Sequence, residues 1–407
     1  MEIARNRVHL GGISVERLVE RFDSPLFVYE EDTLRDRART LRWCFTWRDV
    51  ALHFACKANT NLAIMRILRQ EGCNIDAVSP GEVFLALKAG YKPSQILFTG
   101  NNVTDDEMRF VASKGVLINV DSLSQLDRYG KLFPGTPVSV RINPDVGAGH
   151  HDHCITGGPD SKFGVYFDKV ADVKRLAKRH GLRIVGVHEH IGSGILETKT
   201  FLLAMRVLLD VARQFDSLEF VDFGGGIGVP YRPDQKPVGL TAFGRQVSAL
   251  FADFCKSYGR DLQLKLEPGR FFVAESGFLL AKVNTVKCTP KHKFVGTDSG
   301  FNHLVRHTMY RSYHGILNGS NPNGRKELVV VAGNICESGD LFSHGREIAK
   351  VREGDVLVIL TAGAYGFSMS SNYNSRPRPA EVLVKDGRAK VIREREALQD
   401  LLRRQLP

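Results

Sequence analysis

A chain of 407 residues is longer than one ordinary core supports and suits two domains, one of them large. Its 43% hydrophobic and 25% charged residues match a globular, enzyme-like protein. The net charge of +11 comes from 56 basic against 45 acidic residues, dispersed with only short clusters such as 174–175 and 403–404. That dispersal favours a solvated basic surface over a nucleic-acid groove.

No apolar run approaches the roughly 20 residues of a membrane-spanning helix. The first residues lack the apolar stretch of a secretory signal, so the expectation is a cytoplasmic protein with no membrane partner. Seven cysteines, at 44, 56, 73, 154, 255, 288 and 336, include no CxxC pair. They form neither a disulfide framework nor a zinc site.

In chain order, a short helix is expected at 15–22, a strand at 25–30 and a charged helix at 32–43. From residue 50 short apolar strands alternate with amphipathic helices. The strands are 52–57, 74–78, 96–100, 117–121, 138–143, 184–190, 220–224 and 262–267. Phe243, Val247, Leu250, Phe251 and Phe254 recur at i, i+4, i+7, i+8 and i+11, one face of a helix before the eighth strand. Eight strand–helix units predict a (β/α)8 barrel, whose active residues gather at strand C-termini. A doubly wound open sheet is the alternative topology.

Beyond Arg270 the rhythm changes to strands at 273–286, 293–295, 327–331, 355–359 and 380–384, with a closing helix at 394–402. The fold class expected is α/β plus β. An N-terminal (β/α)8 TIM-like barrel occupies 30–275, and a C-terminal mainly-β, Greek-key-like barrel is built from 1–29 and 276–407.

The chemistry-bearing residues fall at strand ends. Lys57, in FACKAN at 54–59, closes the first strand among small residues. Burial favours a neutral amine, and neutral amines form Schiff bases with carbonyls; a lysine snorkelling to solvent is the plainer alternative. Gly224, Gly225 and Gly226 end the seventh strand and would let backbone N–H groups approach a phosphate, or form a plain turn. The run is not a GxGxxG in a dinucleotide setting, which disfavours a nicotinamide cofactor.

Glu267, Pro268, Gly269 and Arg270 end the eighth strand. The carboxylate could hold a ring nitrogen charged and the arginine could take a phosphate or carboxylate, or the two could form a salt bridge. His188 and His190 share one face of the sixth strand, a metal pair without a third ligand at suggestive spacing. His190 fits better as a ring stacked on a flat ligand, with Ser193 offering a hydrogen bond, and no metal is expected. The histidines of HHDH at 150–153 lie in a long loop, read as exposed or lid-like. Cys336, in CESGD at 336–340, stands beside acids, a setting for a protonated thiol acting as an acid and not for a nucleophilic thiolate. GAYG at 363–366 with SSNYNSR at 370–376 is a run of small and aromatic residues suited to close approach by a ligand or subunit.

Taken in order, FACKAN, DAVSPGE at 76–82, HIGSG at 190–194, GGG at 224–226, EPGR at 267–270, CESGD and GAYG with SSNYNSR resemble the fold-type III pyridoxal-phosphate-dependent amino-acid decarboxylases. The similarity is greatest to the branch acting on meso-2,6-diaminopimelate, and it spans nearly the whole chain. It implies pyridoxal 5′-phosphate as cofactor, release of carbon dioxide to give L-lysine as the last step of bacterial lysine biosynthesis, and an obligate homodimer with shared active sites.

It further implies Lys57 as the Schiff-base lysine and Cys336 as the acid that protonates the product, reaching in with Glu337 from the partner subunit. His190, Ser193, Gly224, Gly225, Gly226, Glu267, Pro268, Gly269, Arg270 and Tyr365 would bind the cofactor. Arg270, Arg306, Tyr310, Glu337 and Tyr365 would bind the substrate, a small diamino dicarboxylate. An arginine facing a distal ammonium would be repulsive, so Arg306 argues for a dicarboxylic substrate.

Two departures stand out. Glu189 sits where a less polar residue is expected, and Asn334 where relatives often have proline. A decarboxylase of another amino acid, or a non-catalytic pyridoxal-phosphate carrier, are the alternatives; Cys336 and Arg306 speak against a carrier.

Overall fold

The computed structural model describes residues 1–149, 151 and 155–406. His150, Asp152, His153 and Cys154, on which the loop histidine cluster depends, lie outside the described residues. The chain divides into two compact units. One comprises Asp36–Val229 and Lys236–Phe272; the other comprises Met1–Arg35, Pro230–Gln235 and Val273–Pro407.

The first unit is a closed barrel. Its strands are Val50–Ala55, Asn74–Ala77, Ile96–Phe98, Leu117–Val120, Pro137–Asn143, Arg183–His188, Phe220–Asp222 and Gln263–Leu266. Each pairs in parallel with the next, and the eighth returns to the first through Leu264↔Val50, Lys265↔Ala51 and Leu266↔Leu52. Nearly every strand residue is buried, as expected of parallel strands covered on both faces.

The helices begin where the sequence supplies caps. Ser79 accepts from the Glu82 N–H with Pro80 in the first turn. Thr104 and Glu107 form a reciprocal capping box, and Ser122 accepts from the Gln125 N–H. Leu240–Tyr258 carries the expected apolar face, with Phe243, Val247, Phe251 and Phe254 buried, and stops at Gly259 in the left-handed region.

The second unit is built on a nine-stranded mixed sheet. Its path runs Leu341–Ala349, Lys326–Ala332, Lys293–Thr297, Gly277–Cys288, Leu26–Glu30, Ala380–Lys385, Arg388–Arg393. Val356–Ile359 also pairs with Gly277–Cys288, and Ile316–Asn318 pairs with Val356–Ile359. The long strand Gly277–Cys288 changes partners along its length: its first half lies between Leu26–Glu30 and Val356–Ile359, its second half against Lys293–Thr297. A small three-stranded antiparallel sheet, Glu2–Ala4, Arg7–Leu10 and Ile13–Ser14, and the helix Val15–Phe22 belong to the same unit.

Its core joins Val8, Leu10, Leu18, Leu26, Val28, Leu280, Val358 and Val382, so both ends of the sequence meet in one apolar cluster. The helix expected at 394–402 does not form: the strand Arg388–Arg393 ends just before it, and the segment holds only a short 3₁₀ turn at Leu398–Leu402. Tertiary bonds outcompete its helical pattern. Glu396 accepts from the Arg378 N–H and guanidinium, and Arg395 donates to the Pro25 carbonyl. Among the described residues no helix is long and apolar enough to cross a membrane.

Leu280 is fully buried at the centre of this cluster. Leu280→Ala is expected to destabilise the protein by about 2–5 kcal/mol, measured by chemical denaturation. A loss under half a kilocalorie would show that the cluster does not hold the unit together.

Candidate active site

The C-terminal ends of the barrel strands bring the expected residues of the first unit together. Lys57 lies in the turn Cys56–Ala58 directly after the first strand. Its side chain is 38% exposed, and its Nζ stands 3.9 Å from Oδ2 of Asp76, which is 1% exposed. The other oxygen of Asp76 accepts from the Thr99 hydroxyl. The neighbouring Cys56 is buried, and burial with the charges of Glu82 and Asp76 pushes its thiol far up, so the nucleophile of this turn is the amine.

Glu267 follows the eighth strand and is buried. Its Oε2 is hydrogen-bonded with His188 Nε2 at 3.0 Å, whereas Oε1 is buried with no partner among the described residues. Burial, reinforced by the charge of Asp76, pushes the Glu267 carboxyl well above the usual carboxylate range; Lys57, Arg141 and Lys265 oppose the rise. An orphaned buried carboxyl oxygen is costly and asks for a partner. The pyridine nitrogen of a flat cofactor, sharing a proton with it, meets that need.

Three glycines shape the next part of the site. Gly224 has φ +64°, and a Cβ there would lie 2.1 Å from the Glu189 carbonyl oxygen. A Cβ on Gly225 would lie 2.2 Å from the Glu267 carbonyl oxygen. The loop is thus pressed against its neighbours where only glycine fits. The Gly225 N–H donates to His190 Nδ1 at 3.1 Å, orienting that ring. Burial, with Lys57 and Arg141 nearby, pushes His190 well below the ordinary imidazole value, leaving a neutral flat ring suited to stacking. Arg270 Nη2 donates to Ser193 Oγ at 3.0 Å, and Pro268 and Gly269 are buried between Glu267 and Arg270. Glycine backbone, hydroxyl and guanidinium are the donors a phosphate takes.

The two histidines of the sixth strand part company, because the strand ends at His188 and His190 lies beyond it. The His188 ring instead joins Glu267 and Asp222, whose ligand-capable atoms all lie within 4.8 Å of one another. Burial, with Glu267 close by, raises Asp222 to about 8, and burial lowers His188 to about 4. Glu189 is buried, one carboxyl oxygen has no partner among the described residues, and burial pushes it well above the carboxylate range.

Several residues with no role assigned from sequence appear here. Arg141 donates to the His190 carbonyl at 3.3 Å and lies 3.6 Å from Asp121 and 4.4 Å over the Phe163 ring. Asn119 and Ser139 bond to each other and lead to His188. Their common trait in the sequence is a polar residue interrupting an apolar parallel strand.

The remaining expected residues lie in the second unit, where the structure joins three of the motif segments. Cys336 and Glu337 are exposed, and the Cys336 N–H donates to Asn374 Oδ1 at 2.8 Å. Asp340 accepts from Phe301 N–H at 2.7 Å and Ile335 N–H at 2.8 Å, tying FNHLVRHTMY at 301–310 to CESGD. Asn334 donates to the Asp298 carbonyl at 2.8 Å, a bond proline could not make. Arg306 opens the helix Arg306–Tyr310 and is 1% exposed. It donates to His314 Nε2 at 3.1 Å and lies 4.5 Å over the Tyr231 ring. Tyr310 and Tyr365 are half-buried.

A parallel barrel that presents a lysine amine, an orphaned acid and a glycine cradle at one end is a pyridoxal-binding domain, and residues 31–274 match the family described as pyridoxal-dependent decarboxylase, pyridoxal binding domain. The diaminopimelate decarboxylase of Methanothermobacter thermautotrophicus is 50% identical over 406 residues, spanning 97% of this chain and 95% of the relative. That of Escherichia coli K12 is 36% identical over 403 residues, spanning 95% of this chain and 94% of the relative. The crystal structure of diaminopimelate decarboxylase from M. jannaschii in complex with L-lysine aligns with a TM-score of 0.91 at 34% identity, over 100% of this chain and 97% of that one. The chain belongs to the diaminopimelate decarboxylase family, and pyridoxal phosphate is its cofactor.

Gly225→Ala drives a methyl group into the Glu267 carbonyl oxygen. It is expected to weaken pyridoxal-phosphate retention roughly tenfold or more, read by titrating cofactor-free protein. Unchanged retention would show that the glycine run only turns the chain.

Proposed function

We propose that the chain decarboxylates meso-2,6-diaminopimelate to L-lysine and carbon dioxide, closing lysine biosynthesis. The observation that carries this reading is the unpartnered Oε1 of Glu267, buried in the barrel that also presents Lys57. Bound pyridoxal phosphate supplies an electron sink for the pair left behind when the α-carboxylate departs.

The other duties fall to residues of the chain. Lys57 would hold the cofactor through its amine, with Asp76 as the nearby charge that steadies that amine. His190 presents its ring face, while Gly224, Gly225, Gly226, Ser193 and Arg270 take the phosphate, with Pro268 and Gly269 fixing the reach of Arg270. Because Oε2 of Glu267 is already engaged by His188, a proton held by this carboxyl resides on Oε1, where the ring nitrogen can share it. That pairing keeps the ring nitrogen charged and the sink deep. The Cys336 thiol would supply the one proton that replaces carbon dioxide on the α-carbon and would regain it from solvent, which balances the reaction.

The far end of the substrate bears a carboxylate and an ammonium. Arg306, held by His314 and Tyr231, suits the carboxylate, and Glu337 suits the ammonium. Exposure of Cys336 and Glu337 supports a homodimer in which each barrel is completed by Cys336 and Glu337 of the partner subunit.

Carbon dioxide release over a panel of amino acids should be greatest with meso-diaminopimelate, and Lys57→Ala should abolish both release and the cofactor's visible absorbance band. A parent that prefers ornithine or L-lysine, or a variant that keeps the band, would sink the reading. Mixing Lys57→Ala with Cys336→Ala chains should restore activity, since hybrid dimers contain one intact site. No recovery in mixtures shown to exchange subunits would refute the shared site.

A further inference from the structure

Glu267 offers Oε1 to the cofactor while Oε2 is held, and the barrel holds it by a line of side chains from three strands. Ser139 on the fifth strand donates to Asn119 Oδ1 at 2.8 Å; its other acceptor, the Gly186 carbonyl, is farther at 3.1 Å. Asn119 on the fourth strand reaches His188 Nδ1 through its Nδ2 at 3.3 Å, and His188 on the sixth reaches Glu267 Oε2 through Nε2 at 3.0 Å. All four residues are buried.

With the serine hydrogen on the shorter of its two contacts, Asn119 Oδ1, the direction of each later bond follows from the one before it. An amide whose oxygen accepts from Ser139 turns its NH₂ toward His188, so Nδ1 must accept. A neutral imidazole that accepts at Nδ1 carries its hydrogen on Nε2. Nε2 therefore donates to Oε2, and a carboxyl occupied at Oε2 is left with Oε1 as the place for a proton.

We propose that His188, locked as its Nε2–H tautomer by Asn119 and Ser139, is a positioning residue that confines the Glu267 proton to Oε1. This deepens the proposed function and rests on Glu267 pairing with the ring nitrogen. Burial, which lowers His188 to about 4, keeps the ring neutral as the argument needs. Asp222, the other carboxyl near the ring, has Oδ1 occupied by the Gly224 N–H at 2.9 Å. A metal ion does not fit the same cluster, because an Nε2 that carries hydrogen has no lone pair to give.

The tautomer can be read without cofactor or turnover. Long-range ¹H–¹⁵N correlations on histidine-labelled, cofactor-free protein, assigned by the signals lost in His188→Gln, are expected to show the His188 hydrogen on Nε2. A hydrogen on Nδ1, or on both nitrogens at neutral pH, would overturn the proposal. In the loaded enzyme, His188→Phe keeps the ring volume and removes the donor. Its kcat should fall roughly 10- to 100-fold with KM little changed, as loss of an orienting partner does. His188→Gln, which retains an N–H at a similar reach, should recover part of that loss. Equal kcat for Phe and Gln variants, or parental kcat for Phe, would reduce His188 to a packing role. Because the tautomer is read on cofactor-free parent protein, its result stands apart from whether that parent decarboxylates diaminopimelate.

Discussion

A carboxyl group buried inside a ring of apolar strands is expensive, since removing it from water favours its neutral form and leaves each unpartnered oxygen in debt for a hydrogen bond. Glu267 is such a group, and much of the barrel answers to it. His188 satisfies one oxygen, while the glycine run at 224–226 is pressed against the backbone of the same residue, so that the other oxygen is left for a ligand. The surrounding charges are balanced around it, with Asp76 raising its proton affinity and Lys57, Arg141 and Lys265 lowering it. A ring nitrogen able to share a proton is the kind of partner that this imbalance would accept.

Closure of the ring makes this arrangement rigid. Eight parallel strands leave no free edge, and their C-terminal ends converge, so Lys57, His190, Gly224 and Glu267 are fixed by backbone hydrogen bonds and not by loop conformation alone. In the second unit a different device serves the same end. The Asp340 carboxylate spans two backbone N–H groups, and Asn374 reaches the Cys336 N–H, so three segments distant in sequence hold the exposed thiol in one setting.

Much of this was legible in the chain itself. The eight barrel strands stand out as short apolar runs ended by glycine or charge, and the helix before the last of them shows its buried face in Phe243, Val247, Phe251 and Phe254. Lys57, Glu267 and the glycine run were visible because their residue types are conspicuous at strand ends. The hydrogen-bonded line through Ser139 and Asn119 was not, since nothing local separates an inward polar residue from a tolerated one until the ring closes. His188 and His190 pair in the sequence for the same reason: the alternation continues past the point where the strand stops. In the second unit the strand Leu341–Ala349 was missed because its interior, with Ser343, His344, Gly345 and Arg346, lacks the apolar pattern of a covered strand, as befits the edge of its sheet. The segment at 394–402 carries a helical pattern that Arg395 and Glu396 forgo by binding elsewhere.

The strand Leu26–Glu30 lies inside the second unit's sheet, antiparallel to Gly277–Leu280 on one side and parallel to Ala380–Val384 on the other. Emerging from the ribosome ahead of the barrel, it has no sheet partner until Gly277–Leu280 has been translated and no second one until 380–384, and the barrel sequence comes out before either. The barrel can therefore fold during synthesis while a buried, apolar strand ahead of it waits exposed. The completed sheet acts as a check on translation, since a chain cut short before residue 277 leaves that strand without a neighbour, and one cut between 281 and 379 leaves it with a bare edge, open to capture by chaperones or to aggregation.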